Sequence, residues 1–156
     1  IVPGLNDSPP DHWQSWLQSI HRDSVRVTQH DWGAPDVDRW AARIGSTVAH
    51  RFGVLALARH LALDPESPIA AALLVAPADP DKFGIGDLLP AGAWPVRATM
   101  VLSRTDPWLG LVARRRWAAR WGYGEGSRPD RSRLNHPGAE ETPDGIRAFG
   151  DFIGVQ

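Results

Sequence analysis

No cysteine occurs in the chain, and that absence excludes disulfides, zinc–thiolate sites and cysteine nucleophiles. It fits a reducing compartment, so a cytoplasmic location is expected. Lysine is almost as scarce. Lys82 is the single lysine among 17 basic residues, a bias of coding composition that makes arginine an unsurprising occupant of any position. The net charge of -1 gives no electrostatic basis for binding nucleic acid or an anionic membrane surface. No apolar run approaches the ~20 residues that span a bilayer, and no signal peptide is recognisable. Nucleic acid and membrane are therefore set aside as partners. The chain opens with Ile1-Val2-Pro3-Gly4 rather than methionine, so its natural start is expected upstream.

What is present describes a soluble globular chain. Its 156 residues suffice for one domain, spanning 1–156, and are too few for two comfortable ones. Hydrophobic content of 42% and charged content of 22% are ordinary. The 8 tryptophans are a heavy load for this length, and at helical spacing they read as packing residues rather than a ligand cage. The 14 prolines and 15 glycines imply many short connections.

Residues 1–3 look like the tail of a strand, and 4–10 like a loop. Ser8 or Asp11 can cap a helix over 12–20, where Trp13, Trp16, Leu17 and Ile20 recur at i, i+3, i+4 and i+7. Residues 24–29 alternate through Val25 and Val27 and read as a short strand. A second helix is expected over 36–44, with Val37, Trp40, Ala41 and Ile44 on one face. An apolar stub, Thr47-Val48-Ala49, precedes a turn and a helix over 52–63 that Asp64-Pro65 closes. The continuous apolar run 69–76 suits a central parallel strand buried on both faces. Residues 79–95 are loop-rich, 96–102 read as another buried strand, and 109–121 as a helix with a basic face. Residues 122–144 show no clear element, and 146–153 could form a terminal helix. Strands alternating with helices predict an α/β fold around a mostly parallel sheet.

In such sheets ligands bind at the carboxyl ends of the strands, which singles out the loops 4–7, 50–53 and 103–106. Ala49-His50-Arg51-Phe52-Gly53 has the small-x-apex-x-small form of a nucleophile elbow. Its apex, however, is arginine.

The loop Gly4-Leu5-Asn6-Asp7-Ser8, followed by Pro10-Asp11-His12-Trp13-Gln14-Ser15 and Trp16, resembles the opening of the YdeN-like, retinoblastoma-binding serine hydrolases. Asp31-Trp32, Pro35-Asp36, Asp38-Arg39-Trp40, Ala49-His50, Phe52-Gly53, Leu74-Val75-Ala76-Pro77 and Ser103-Arg104-Thr105-Asp106-Pro107-Trp108 continue the resemblance to about Gly122. It implies a small three-layer α/β-hydrolase-like fold, acyl transfer from a small ester or amide to water, and no cofactor. It also implies a Ser-His-Asp triad with a backbone oxyanion hole. By position the acid is Asp106, the oxyanion donors are the amides of Leu5 and Phe52, and the nucleophile position is Arg51. Counting back from Pro143-Asp144-Gly145 sets Arg133 at the histidine position, with His136 three residues further on as a displaced base candidate. Asn6, His12, Trp13 and His50 are expected to line the site. The pieces around 45–47 and 122–142 are short for the family, so a shortened sheet is expected.

An arginine cannot serve as nucleophile or general base, because its guanidinium stays protonated below about pH 12. Ser46, Ser103 and Ser132 read as turn or capping hydroxyls. His12, His30 and Asp31 have no metal-ligand spacing. The face carrying Arg114, Arg115, Arg116 and Arg120 reads as a solvated surface. The expectation is thus a hydrolase by descent with impaired chemistry. The alternative is a binding derivative in which Arg51, helix amides and Arg133 attract an anionic small molecule. A simple ion pair between Asp106 and Arg51 or Arg133 competes with that alternative. A derivative that binds a protein is equally open, and its partner is not identified by the sequence.

Overall fold

A computed structural model describes residues 1–21, 24–44, 48–101, 109–122 and 133–134. Four parallel strands form the sheet in chain order: β1 (Val48–His50), β2 (Ala71–Val75), β3 (Arg97–Val101) and β4 (Arg133–Leu134). Val48 to His50 pair with Leu73 to Val75, Leu74 with Met100, and Met100 in turn with Arg133.

The sheet continues beyond β1. Val2 forms a parallel bridge to Ala49, through Val2 N to Val48 O (2.6 Å) and His50 N to Val2 O (3.0 Å). Residues 25–27 flank residue 1 in the same pattern, with Ile1 N donating to Val25 O (2.7 Å) and Val27 N to Ile1 O (2.8 Å). These two bonds replace the longer strand that the alternation around Val25 and Val27 predicts. From residues 1–3 the chain thus moves outward to 25–27, then returns to the opposite side of residue 2 as β1. The strand order reverses between residues 1–3 and β1, the place where open parallel sheets bind ligands at the carboxyl ends of their strands.

Side-chain parity builds the layers. Successive residues of β2 point to opposite faces: Leu73 and Val75 pack with Trp13, while Ala72 and Leu74 belong to the larger cluster on the other side. On the first face lies α1 (Trp13–Ile20), with Trp16 and Leu17 beside Trp13. The second face is covered by α2 (Val37–Ala41) and α3 (Phe52–Leu63). In α3 Phe52 through Ala58 and Leu61 are all buried, so it is a core helix rather than an amphipathic one. The tryptophans of α4 (Leu111–Arg120) and its C-cap, Trp117 and Trp121, join the same cluster with Trp94. A three-layer arrangement results. Trp13, Trp40, Trp94, Trp117 and Trp121 are all buried, in agreement with their reading as packing residues.

Several local readings change. The cap of α1 is neither Ser8 nor Asp11: His12 Nδ1 accepts from Gln14 N at 3.3 Å. Residues 79–95 hold two short 3-10 helices, Pro80–Phe83 and Gly86–Leu88, the first capped by Asp79 and ended by Gly84 at φ 64°. A fourth strand lies within the stretch that shows no element in the sequence. The basic face of α4 is solvated as expected at Arg115 and Arg116, which are exposed, while Arg120 is half-buried. Arg116 pairs with Asp81, and the Arg120 guanidinium lies 5.1 Å from the Trp117 ring centroid. No helix among the described residues is long and apolar enough to cross a membrane.

Candidate active site

Between β1 and α3 stands Arg51, with its backbone bent to φ 50°, ψ -118°. For a residue with a β-carbon such a conformation costs on the order of 1–3 kcal/mol and persists only where its surroundings over-determine it. Three hydrogen bonds do so. Arg51 N donates to Val75 O (3.1 Å), and Arg51 O accepts from Val54 N (3.1 Å) and Ala78 N (3.2 Å).

Two glycines allow the bend to close. A β-carbon on Gly53 would lie 2.4 Å from Pro3 O and 2.6 Å from Val2 O, so only glycine lets α3 start this close to the neighbouring strand. On Gly4 it would lie 3.0 Å from Arg51 Cβ and 3.3 Å from His50 O. The first loop therefore sits directly against the apex. This is the strand–turn–helix elbow that presents a nucleophile in acyl-transfer enzymes.

Backbone strain concentrates at the same place. The non-glycine residues with positive φ among those described are Asn6 (65°), Asp7 (59°), Arg51 (50°) and Ala76 (43°). They follow residues 1–3, β1 and β2, three adjacent strands, at their carboxyl ends. Asn and Asp tolerate left-handed backbone better than most residues; Arg and Ala do not.

The two residues expected to supply oxyanion donors flank the apex. Leu5 follows Gly4 in the loop packed against Arg51, and Phe52 opens α3, whose N-terminal end carries partial positive charge. Neither N–H donates to any described residue. Donors held in this way suit a developing oxyanion. The Phe52 side chain is fully buried, edge-on to Trp40 (5.0 Å) and Phe83 (4.9 Å), which locks the start of the helix.

Of the other expected site residues, His12, Trp13 and His50 come together. The two imidazoles are 5.1 Å apart between centroids, and Trp13 meets His50 edge-on at 5.5 Å. His50 is buried, and His12 is held as the cap of α1. Asn6 lies in the first loop, with its N–H bonded to Trp32 O at 3.2 Å. The backbone of Arg133 lies in β4, in register with Met100, rather than in a loop beyond the strand. Asp106 and His136 lie outside the described residues, as do Ser46, Ser103 and Ser132.

Sequence reasoning overlooked two residues that shape the site. Arg26 sends its guanidinium into the first loop, and Gln14, fully buried, donates from Nε2 to Val2 O (3.3 Å) while its Oε1 accepts from Ser8 Oγ (2.6 Å). The signal for Gln14 was its polar side chain beside Trp13 at the start of an apolar helix face. For Arg26 it was a charged residue between the two valines of a strand.

An elbow of this kind, set where the strand order reverses, defines the α/β-hydrolase class, here with a shortened parallel sheet. The chain belongs to the serine hydrolase family, whose model it matches over residues 1–147. It is similar to the crystal structure of a YdeN-like hydrolase from Pectobacterium atrosepticum, with 33% identity and a TM-score of 0.70, over 78% of this chain and 71% of that one. No curated protein matches the chain.

Proposed function

We propose that this chain is a serine-hydrolase scaffold whose ester- or amide-cleaving chemistry is impaired at the elbow. The observation that carries this reading is Arg51 at the strained apex between β1 and α3, with φ 50° and ψ -118°. Acyl transfer needs a hydroxyl there, which loses its proton to a base as it bonds to the carbonyl carbon. The guanidinium has no usable lone pair and holds its proton at any physiological pH. An oxyanion hole and binding alone supply at most ~10³–10⁴-fold acceleration over water.

Hydrolysis of p-nitrophenyl acetate and butyrate tests this. The native chain and Arg51→Ser/Arg133→His are compared, with Arg51→Ser alone alongside. Activity confined to the double variant supports the reading, whereas turnover by the native chain, abolished by a covalent fluorophosphonate, refutes it.

A second reading rests on the cationic side chain itself. Arg51 stands at the N-cap of a 12-residue helix, beside the amides of Leu5 and Phe52. A guanidinium, N–H groups that donate to no described residue and a positive helix end together favour a carboxylate or phosphate. Calorimetric titration with small carboxylates and inorganic phosphate decides it. Heat that Arg51→Ser removes supports anion binding, and none at millimolar concentration overturns it.

A further inference from the structure

We infer that Arg26 is the positioning residue of the first loop, the clamp that holds Leu5, Asn6 and Asp7 against the elbow. This rests on the reading of that loop as one wall of the active site.

The side chain is largely withdrawn from solvent, at 14% relative exposure, yet it carries a permanent charge. A buried cation is stable only if its N–H groups find acceptors. Arg26 finds them on both sides of the loop. Nη1 donates to Asp7 Oδ1 (2.8 Å) and to Ser8 O (3.1 Å), Nη2 to Ser15 Oγ (2.8 Å), and Nε to Gln18 Oε1 (2.9 Å). The planar fork thus ties the loop to α1 from a segment that is bonded to residue 1 on both sides of Arg26. Lysine, with one compact ammonium, cannot reach acceptors spread in this way.

The loop needs such a clamp. Asn6 and Asp7 are consecutive left-handed residues, and a run of these is unfavourable for L-amino acids unless something outside the backbone holds it. Asp7 is held by the guanidinium, while Asn6 is held by its N–H bond to Trp32 O. Ser15 Oγ also donates to Ser8 O (3.3 Å) and Pro9 O (2.8 Å), which explains why a serine follows Gln14 at the start of α1. Because Gly4 touches the apex, a small tilt of residues 5–7 would displace the Leu5 amide from Arg51. Arg26 touches neither the apex nor any reacting atom. Its effect runs through Asp7 and Ser8.

Amide hydrogen exchange on the full-length chain tests the inference, comparing the native protein with Arg26→Gln, Arg26→Lys and Gln18→Ala. Arg26→Gln should speed exchange at Asn6, whose N–H is bonded to Trp32 O, by about tenfold or more, and leave Ala72 to Val75 of β2 within about twofold. Arg26→Lys should recover part of the protection by retaining a charge beside Asp7. Gln18→Ala, which removes one acceptor and leaves the fork in place, should give a smaller effect of the same pattern. It also decides the matter should Arg26→Gln fail to fold. Equal acceleration in the loop and in β2 would make Arg26 a general stabilising residue and overturn the inference, and so would an unaltered loop. These outcomes do not depend on turnover. If the native chain turns over the esters, the reading of the elbow as impaired fails while the exchange result stands. If Arg51→Ser/Arg133→His is active, adding Arg26→Gln should lower kcat with KM unchanged.

Discussion

Gly4 and Arg51 meet so closely that a β-carbon on the glycine would lie 3.0 Å from that of the arginine. The contact joins the first loop to the elbow without any side chain of the loop taking part. Gly4→Ala should therefore force the two apart by a few tenths of an ångström. Overpacking of this kind costs about 1–2 kcal/mol, and thermal unfolding should shift down by roughly 2–8 °C. An unchanged midpoint would mean that the loop moves freely over the elbow.

Gly53→Ala should be worse. Its β-carbon would meet two backbone carbonyl oxygens at 2.4 and 2.6 Å rather than a side chain that can turn away. The expected loss lies at the upper end of the ~1–3 kcal/mol range for overpacking. That corresponds to a fall in midpoint of roughly 6–12 °C. Equal effects of the two glycine substitutions would contradict the different stiffness of their neighbours.

Arg51→Gly is expected to stabilise the protein. Glycine adopts φ 50°, ψ -118° without the on-the-order-of 1–3 kcal/mol strain of a side chain. Against this stands about 0.4–1 kcal/mol for the added freedom of the unfolded chain. A net gain of about 1 kcal/mol should appear in denaturant unfolding. Arg51→Ser keeps a β-carbon and should show no such gain. A clear loss in Arg51→Gly would show that contacts of the arginine side chain outweigh the strain.

One Ser–His hydrogen bond lies far from the elbow: His60 Nε2 and Ser67 Oγ are 2.9 Å apart. His60 is in the last turn of α3, where the helix end carries partial negative charge. An oxyanion would be repelled there, so proximity alone should not activate Ser67. Treatment of the native chain with a fluorophosphonate, followed by peptide mass mapping, should leave Ser67 unmodified. Stoichiometric labelling of Ser67 that His60→Gln abolishes would show that an imidazole suffices without an oxyanion hole.

Legibility differed with the range of the forces involved. The limits of α3 were evident because Asp64-Pro65 ends a helix locally, and the structure has it at Phe52–Leu63. β2 was evident because burial on both faces leaves a continuous apolar run, and the structure has it at Ala71–Val75. The cap of α1 was misread, since Ser8 and Asp11 are better capping residues by type, yet the chain turns so that His12 takes the position. Strand β4 could not be read. Two residues, Arg133 and Leu134, form a strand only because β3 offers a partner edge.

By itself the amino-acid sequence determined the alternation of strands and helices, the absence of thiol chemistry, and an arginine at position 51. These follow from local periodicity and from residue chemistry, which no fold can alter. Only the tertiary structure decided that Asn6, Asp7, Arg51 and Ala76 share one strained edge, that Gly4 and Gly53 close the elbow, and that Arg26 reaches across from the segment beside residue 1 to the first loop. Those relations join residues far apart along the chain, and they exist only once parallel pairing has brought the carboxyl ends of the strands together.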